Sequence, residues 1–334
     1  MKTTRKSSII FTMLLASVFT LFARAQTESF DIGQFYPIDR GHSYIGFSIR
    51  YMGFAKVRGR FADFSGTFRY DPGDITKTSA TVIIKVESID TDLDFRDKDL
   101  KSDNWFDAAK YPVIRFQSKR VVKGNAGFDI VGDLTIRDVS KEVTLTMDYC
   151  SGVQKDIRGD DQVIFNGSTV INRKDFGVRG ENWSAVKEGI TAVETDVGIE
   201  LTILGKQIKS ENFKNRLSDP ESPQAKIYST ITQGGVEAGI QMFRKLRSAD
   251  GNKIHSGILN VAGYMLLKEG KVDEALQVFG ENARQFPDDK NVFDSLAEAY
   301  ATKGDKSAAR RYYQKTLEKD PLNANAIEIL RHLG

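Results

Sequence analysis

The sequence predicts two domains, an all-β antiparallel domain followed by an all-α domain of helical repeats. Three observations lead there. Apolar residues recur at every second position through many segments up to residue 205. The period becomes helical beyond residue 225. A 34-residue spacing then relates matching positions within the helical part. A chain of 334 residues suits two domains, and 40% hydrophobic with 28% charged residues suits globular ones.

The chain opens with a predicted signal peptide over 1–25. Lys2, Arg5 and Lys6 form a positive start, residues 9–22 are apolar apart from small polar ones, and Ala23-Arg24-Ala25 is a small-residue cleavage site. The mature chain is expected to begin at Gln26 and to be periplasmic or secreted. The apolar stretch is short for a span of about 20 residues, and no later segment reaches that length, so no transmembrane segment is expected in the mature chain. The formal charge of +3 also belongs to this leader. Without Lys2, Arg5, Lys6 and Arg24 the balance is 44 basic to 45 acidic residues, which gives no reason to expect a nucleic acid partner.

The β domain is assigned to 26–205. Phe47, Ile49 and Tyr51 alternate with Gly46, Ser48 and Arg50, and Ala62, Phe64, Gly66, Phe68 and Tyr70 follow the same rule. So do Val82, Ile84 and Val86, then Phe128 to Ile136, Val143 to Tyr149, Val163 to Ile171 and Val193 to Ile203. With a shorter strand over 113–117, about eight antiparallel strands with one apolar face result. Such a sheet either packs on a second sheet or closes into a barrel, whose interior is filled by side chains or holds one ligand. Gly66, Gly132 and Gly167 fall at inward positions. They either leave room between the large aromatics or mark bulges and bends. Residues 90–107 are charged, lack alternation and read as a loop with a short helix, ended by Tyr111-Pro112. Cys150, the single cysteine, can make no internal disulfide and reads as a small apolar filler.

A polar stretch with two prolines makes 206–224 a linker. In 225–334, Leu259, Gly263, Gly270, Ala275, Phe279 and Pro287 recur 34 residues later as Phe293, Ala297, Gly304, Ala309, Tyr313 and Pro321. The clear repeats are thus 256–289 and 290–323. This pattern of small residue, turn glycine, alanine, aromatic and terminal proline resembles the tetratricopeptide (TPR) family. The glycines end each first helix, the alanines let two helices approach, and the prolines stop each second helix. Residues 225–255 read as a degenerate earlier pair with Gly234-Gly235 as its turn, and 323–333 as a capping helix.

The β domain also carries a resemblance in its residues. Asp39-Arg40-Gly41-His42-Ser43-Tyr44-Ile45-Gly46-Phe47, Val57-Arg58-Gly59-Arg60-Phe61, Ser88-Ile89-Asp90-Thr91, Arg96-Asp97-Lys98-Asp99-Leu100, Trp105-Phe106-Asp107, Gly132-Asp133-Leu134-Thr135-Ile136 and Ile171-Asn172-Arg173-Lys174-Asp175-Phe176-Gly177 occur in order. Over 35–204 this resembles the YceI-like family. The resemblance implies an exported, lipocalin-like antiparallel barrel whose apolar tunnel binds polyisoprenoid-type lipids or related long-chain amphiphiles, with no established catalytic activity. Where many members carry a second His after the first strand, this chain has Tyr51.

Candidate site residues follow. Phe47, Ile49, Phe64, Phe68, Ile84, Leu134, Phe165 and Val197 alternate inward and are expected to line the tunnel or fill the core. His42, Phe54, Arg96, Trp105 and Phe106 are candidates for its mouth. Arg96, Asp97 and Asp99 either tie the charged insert to the barrel or gate it, and Asn172, Arg173 and Asp175 read as a hydrogen-bonded turn. Asn260, Tyr264, Lys268, Asp294 and Glu298 lie on first helices of the repeats and are candidates for a groove that meets a protein partner; the alternative is a solvated polar face. No G-x-S-x-G, P-loop, H-E-x-x-H or C-x-x-C occurs, and His42, His255 and His332 are spread over two domains, so no catalytic or metal site is expected. No cofactor is expected beyond a bound lipid such as an isoprenoid quinone or polyprenyl lipid. Two other readings stand beside a lipid carrier. One is an enzyme acting on a sequestered lipid through His42 or the Arg96/Asp97 pair. The other is a scaffold in which the barrel is structural.

Overall fold

The computed structural model describes residues 30–124, 127–157, 159–183, 186–187, 190–207, 213, 215–249 and 253–334. The expected leader lies outside the described residues. The strands are β1 (Phe35–Pro37), β2 (Tyr44–Tyr51), β3 (Ala55–Phe61), β4 (Phe64–Arg69), β5 (Ser79–Lys85), β6 (Ile89–Asp90), β7 (Val113–Lys123), β8 (Phe128–Ile136), β9 (Val139–Cys150), β10 (Gln154–Lys155), β11 (Asp161–Asn172), β12 (Val186–Lys187), β13 (Ile190–Thr191) and β14 (Val193–Lys206). All pairings are antiparallel, and the main sheet runs β1-β4-β5-β7-β8-β9-β11-β14-β2-β3-β6.

The choice between sandwich and barrel is decided at β1 and β14. β1 pairs with β4 on one side, while Ile38 bridges Gly205 of β14 and the Asp39 N–H donates to Leu204 O at 2.8 Å. The sheet therefore curls until its flanks meet at one end. At the other end the β2–β3 hairpin, β6 and the charged insert continue the wall. The insert contains helix α1 (Asp94–Lys101), as its composition predicts.

One strand is added to the expectation, and the choice left open for the inward glycines is settled. β3 is a full strand that sequence alternation misses, because Lys56, Arg58 and Arg60 hide the weak inward series Ala55, Val57, Gly59, Phe61. Gly66, Gly132 and Gly167 open no room. A Cβ on Gly132 would sit 2.5 Å from Gln117 O, and one on Gly167 would sit 2.5 Å from Met147 Sδ. Register shifts lie beside both, between Ser118 and Arg120 and between Asn166 and Gly167. Gly132 and Gly167 are close approaches at irregularities of the sheet, and Gly66 is a close approach to Ile38 in an unshifted register.

The helical part comprises α2 (Pro223–Ala249), α3 (Ser256–Lys268), α4 (Val272–Gln285), α5 (Lys290–Lys303), α6 (Lys306–Lys319) and α7 (Ala324–His332). α2 breaks at Gly235, whose φ of 83° and ψ of 171° end one helix and start another, giving a seven-helix region. The α3–α4 and α5–α6 hairpins repeat at the 34-residue spacing. Ala275, Phe279, Ala309 and Tyr313 are fully buried at the seams. The all-β, lipocalin-like barrel followed by TPR-like helical repeats is thus the architecture of the chain.

The two domains meet over a built interface. The α7 carboxylate of Glu328 accepts from Ser79 Oγ (2.5 Å) and Thr81 Oγ1 (2.7 Å) of β5 and pairs with Arg331 (2.7 Å) and His332 (3.1 Å). Arg331 also donates to Ser118 O at 2.6 Å. Phe35 of β1 is buried among Ala297, Ala301, Tyr313, Ile329 and Leu333 of the helices.

Candidate functional site

Strand alternation sends one face of nearly every strand into the barrel, and there it encloses a cavity of about 760 Å³. Phe47 and Ile49 of β2, Phe68 of β4, Ile84 of β5, Leu134 of β8, Phe165 of β11 and Val197 of β14 all line it. Phe64 does not. It is buried in the core cluster, close to the β3–β4 corner at Ala62-Asp63, where the chain changes direction and period two stops predicting facing. Val57, Val82, Ile114, Val143, Leu145, Ile199 and Leu201 complete most of the apolar wall.

One end of the cavity is filled. Phe68 stacks on Tyr36 at 5.5 Å and meets Phe165 edge-on at 5.0 Å, and Phe165 also meets Tyr70 and Phe128. Gly205 is required there, because a Cβ would stand 2.3 Å from the Phe68 ring. Cys150 packs against this cluster.

The other end is covered by α1 and the residues after it, which place Phe95, Arg96, Asp99, Leu100, Trp105 and Phe106 on the cavity. Hydrogen bonds hold this cover. Asp97 Oδ1 accepts from the Thr91 N–H (2.9 Å) and hydroxyl (2.5 Å), and Arg96 donates to Thr91 O (2.7 Å) and Oγ1 (2.8 Å). Asp99 Oδ2 accepts from the indoles of Trp105 (2.9 Å) and Trp183 (3.1 Å). The bonds of Arg96 and Asp97 stay within the insert, fixing α1 to Thr91 just after β6, and Asp99 alone reaches beyond it, to Trp183.

Arg173 also lines the cavity. The residue is only 4% exposed, and its guanidinium donates to the carbonyls of Val178, Arg179, Val193 and Glu194 and lies 5.0 Å from the Trp105 ring. Burial lowers its pKa. Sequence reasoning placed Arg173 only in a turn. Its arrival on the cavity depends on the left-handed Gly177 (φ 72°) that closes the 3-10 turn Arg173–Phe176. Trp183 and Phe95 were missed as well, since neither lies on an alternating strand.

The mouth candidates separate. Arg96, Trp105 and Phe106 reach the cavity. Phe54 lies on the β2–β3 turn at the same end but points outward, 82% exposed. His42 lies at the opposite end, in the turn before β2, with its side chain 74% exposed and 2.9 Å from Asp39. The structure does not bring His42 to the mouth.

In the helical domain the groove candidates are already engaged. Asn260 Oδ1 accepts from Asn282 (2.8 Å), Tyr264 OH donates to Glu298 Oε2 (2.8 Å), and Asp294 accepts from Asn325 (3.3 Å). Phe213 of the linker stacks on Tyr264 at 5.2 Å. Lys268 is exposed. Burial pushes Asp294 up to about 6; burial and then the Asp294 charge push Glu298 up to about 7.

Comparison with known proteins places this geometry. The chain is 35% identical over 147 residues to a UPF0312 protein of Vibrio cholerae, covering 43% of this chain and 77% of the relative. It is similar at 15% identity to the structure of a polyisoprenoid binding domain from Saccharophagus degradans, over 52% of this chain and 98% of that one, with a TM-score of 0.39. The helical part is similar at 19% identity to the second TPR domain of human RPAP3, solved with an HSP70 peptide, over 34% of this chain and 92% of that one, with a TM-score of 0.26. The YceI-like domain profile matches residues 36–204. On that match and the Vibrio relative, the chain belongs to the YceI-like family.

Proposed function

We propose that the protein binds one long apolar or amphiphilic lipid, of the polyisoprenoid class, inside the barrel and carries or shields it without transforming it. The observation that carries this reading is the cavity of about 760 Å³ with a wall almost wholly of aliphatic and aromatic side chains. Sites for small molecules typically occupy about 300–1,000 Å³. Each CH₂ moved from water into such a wall contributes about 0.8 kcal/mol, so ten or more buried carbons bind well without a polar contact, after ordering entropy takes its share. Arg96, Asp99, Thr91 and Arg173 at the covered end supply the few polar groups that an amphiphile's head group would meet.

The reading includes export, with the mature chain beginning at Gln26, and a protein contact through the helical domain. N-terminal sequencing of secreted material tests the first. Mass spectrometry of an organic extract of the purified protein tests the lipid: a stoichiometric long-chain isoprenoid or amphiphile is expected. An empty extract, repeated after quinones and polyprenyl lipids are offered, would move the function to the helices. Val82→Trp, which fills the cavity from β5, is expected to abolish lipid uptake while leaving the far-UV circular dichroism unchanged.

A further inference from the structure

The covered end of the barrel carries most of the exposed large apolar side chains of the β2–β3 hairpin and α1. Phe54 is 82% and Phe95 70% exposed, and Met52, Leu93 and Trp183 are also open to solvent. A chain of contacts places them around this covered end. Met52 follows Tyr51 and donates its N–H to Ala192 O, and Tyr51 pairs with Val193. Val193 O accepts from Arg173, Arg173 lies against Trp105, and Trp105 and Trp183 share Asp99 on α1, one turn after Phe95. Tyr51, Val193, Phe95 and Trp183 all line the cavity as well. The apolar rim is continuous with the apolar interior.

The hairpin is two-faced. Its inward residues Ile49, Tyr51 and Val57 line the cavity, and its outward residues Arg50, Lys56 and Arg58 are exposed. Arg50 stands opposite Lys56, and Arg58 opposite Ser48. None of the three makes an ion pair among the described residues, whereas Arg60, the next outward cation, is taken by Asp90 at 2.9 Å. On the α1 side Asp92 and Asp94 carry the opposite sign. A hairpin with three exposed cations on its flank and Met52, Gly53 and Phe54 at its tip matches an anionic bilayer. The apolar tip enters the acyl boundary and the cations meet the lipid head groups. Trp183 suits the same interfacial depth.

We propose that the β2–β3 hairpin docks the mouth of the barrel onto an anionic phospholipid membrane, so that a lipid passes between bilayer and cavity along a continuous apolar path. This rests on the reading of the cavity as a lipid site, yet docking is measured separately from uptake. Protein purified from an exporting host is floated with vesicles of phosphatidylcholine alone or with 30 mol% phosphatidylglycerol, a composition chosen for the assay, at about 0.05 and 0.5 M salt, where screening differs several-fold in range. Binding to the anionic vesicles, lost at high salt, is expected. Phe54→Asp should weaken it about tenfold or more. Lys56→Glu/Arg58→Glu should weaken it by roughly fivefold for each cation removed. The double variant should keep its capacity for a fluorescent long-chain probe delivered in ethanol. Vesicle binding that is absent, or unchanged in both variants, overturns the proposal. If Val82→Trp abolishes probe uptake but not flotation, docking stands apart from the cavity; if flotation of the wild type fails while uptake persists, the cavity reading stands and docking falls.

Discussion

Glu298 and Asp294 show how a single residue's setting inverts its usual chemistry. Both carboxylates meet neighbouring helices through a hydroxyl or an amide, with no ion pair among the described residues, so burial dominates and their pKa values rise to about 7 and about 6. A carboxyl whose folded pKa is raised binds protons more tightly folded than unfolded. It therefore costs stability as pH climbs from its unfolded value of 4.5 through the folded value of about 7. Glu298→Gln keeps an acceptor for the Tyr264 hydroxyl and removes the charge. Its melting temperature should exceed that of the wild type at pH 8, by the equivalent of about 1–3 kcal/mol, and the gap should close below pH 5. Thermal melts across that range check it. Arg173 is the converse case, a cation kept in an apolar setting by four carbonyls and an indole face.

Among the elements, β5 and α3 carry the clearest consequences. Along β5, Ala80, Val82 and Ile84 face the cavity, while Ser79 and Thr81 between them face Glu328 of α7. One strand thus serves lipid cavity and domain interface at once, through nothing more than period two. In α3 the signature position Gly263 lies under the ring of Phe279 in α4, and a Cβ there would stand 2.4 Å from it. Its counterpart one repeat later is Ala297, buried with room for its methyl. Gly263→Ala should gain about 1 kcal/mol of helix propensity yet lose more to overpacking, for a net loss of about 1 kcal/mol. A lower denaturant midpoint with an unchanged slope would show it. The reciprocal Ala297→Gly should destabilise by a similar amount for the opposite reason, a small cavity and a freer backbone.

At the scale of the whole molecule the decisive group is Glu328. Burial alone would raise its pKa, but the hydrogen bond from His332, the charge of Arg331 and the hydroxyls of Ser79 and Thr81 together lower it. A carboxyl lowered in this way contributes stability above its unfolded pKa and loses it as pH falls through the folded value. Glu328→Ala removes the carboxylate from Arg331 and His332 and leaves the Thr81 hydroxyl without its acceptor, and should cost about 3–5 kcal/mol of coupling between the domains. Denaturation followed by tryptophan fluorescence, which reports only the barrel through Trp105 and Trp183, and by far-UV circular dichroism, which reports the helices too, should then show two transitions where the wild type shows one. Retention of a single coincident transition would mean that Phe35 and its apolar neighbours hold the interface without the ion cluster.

Much of this was legible in the chain itself. Phe47, Ile49, Phe68, Ile84, Leu134, Phe165 and Val197, read from period two, face the cavity, because a strand in a one-sided sheet has only two faces. The 34-residue spacing marked the helical hairpins, because each must bury the same seam. The charged, non-alternating insert marked the cover of the barrel. What alternation could not reach were contacts made between elements distant in sequence. The barrel closes because Ile38 meets Gly205, Arg173 reaches the cavity because a left-handed Gly177 turns the chain back, and His42 lies at the wrong end because β2 runs away from it. The docking of α7 on β5 joins residues some 250 positions apart. The sequence by itself determined which faces are apolar and how often they recur, since that is local periodicity. Only the tertiary structure decided which faces meet, since that depends on how sheet curvature and helix stacking close long loops of chain.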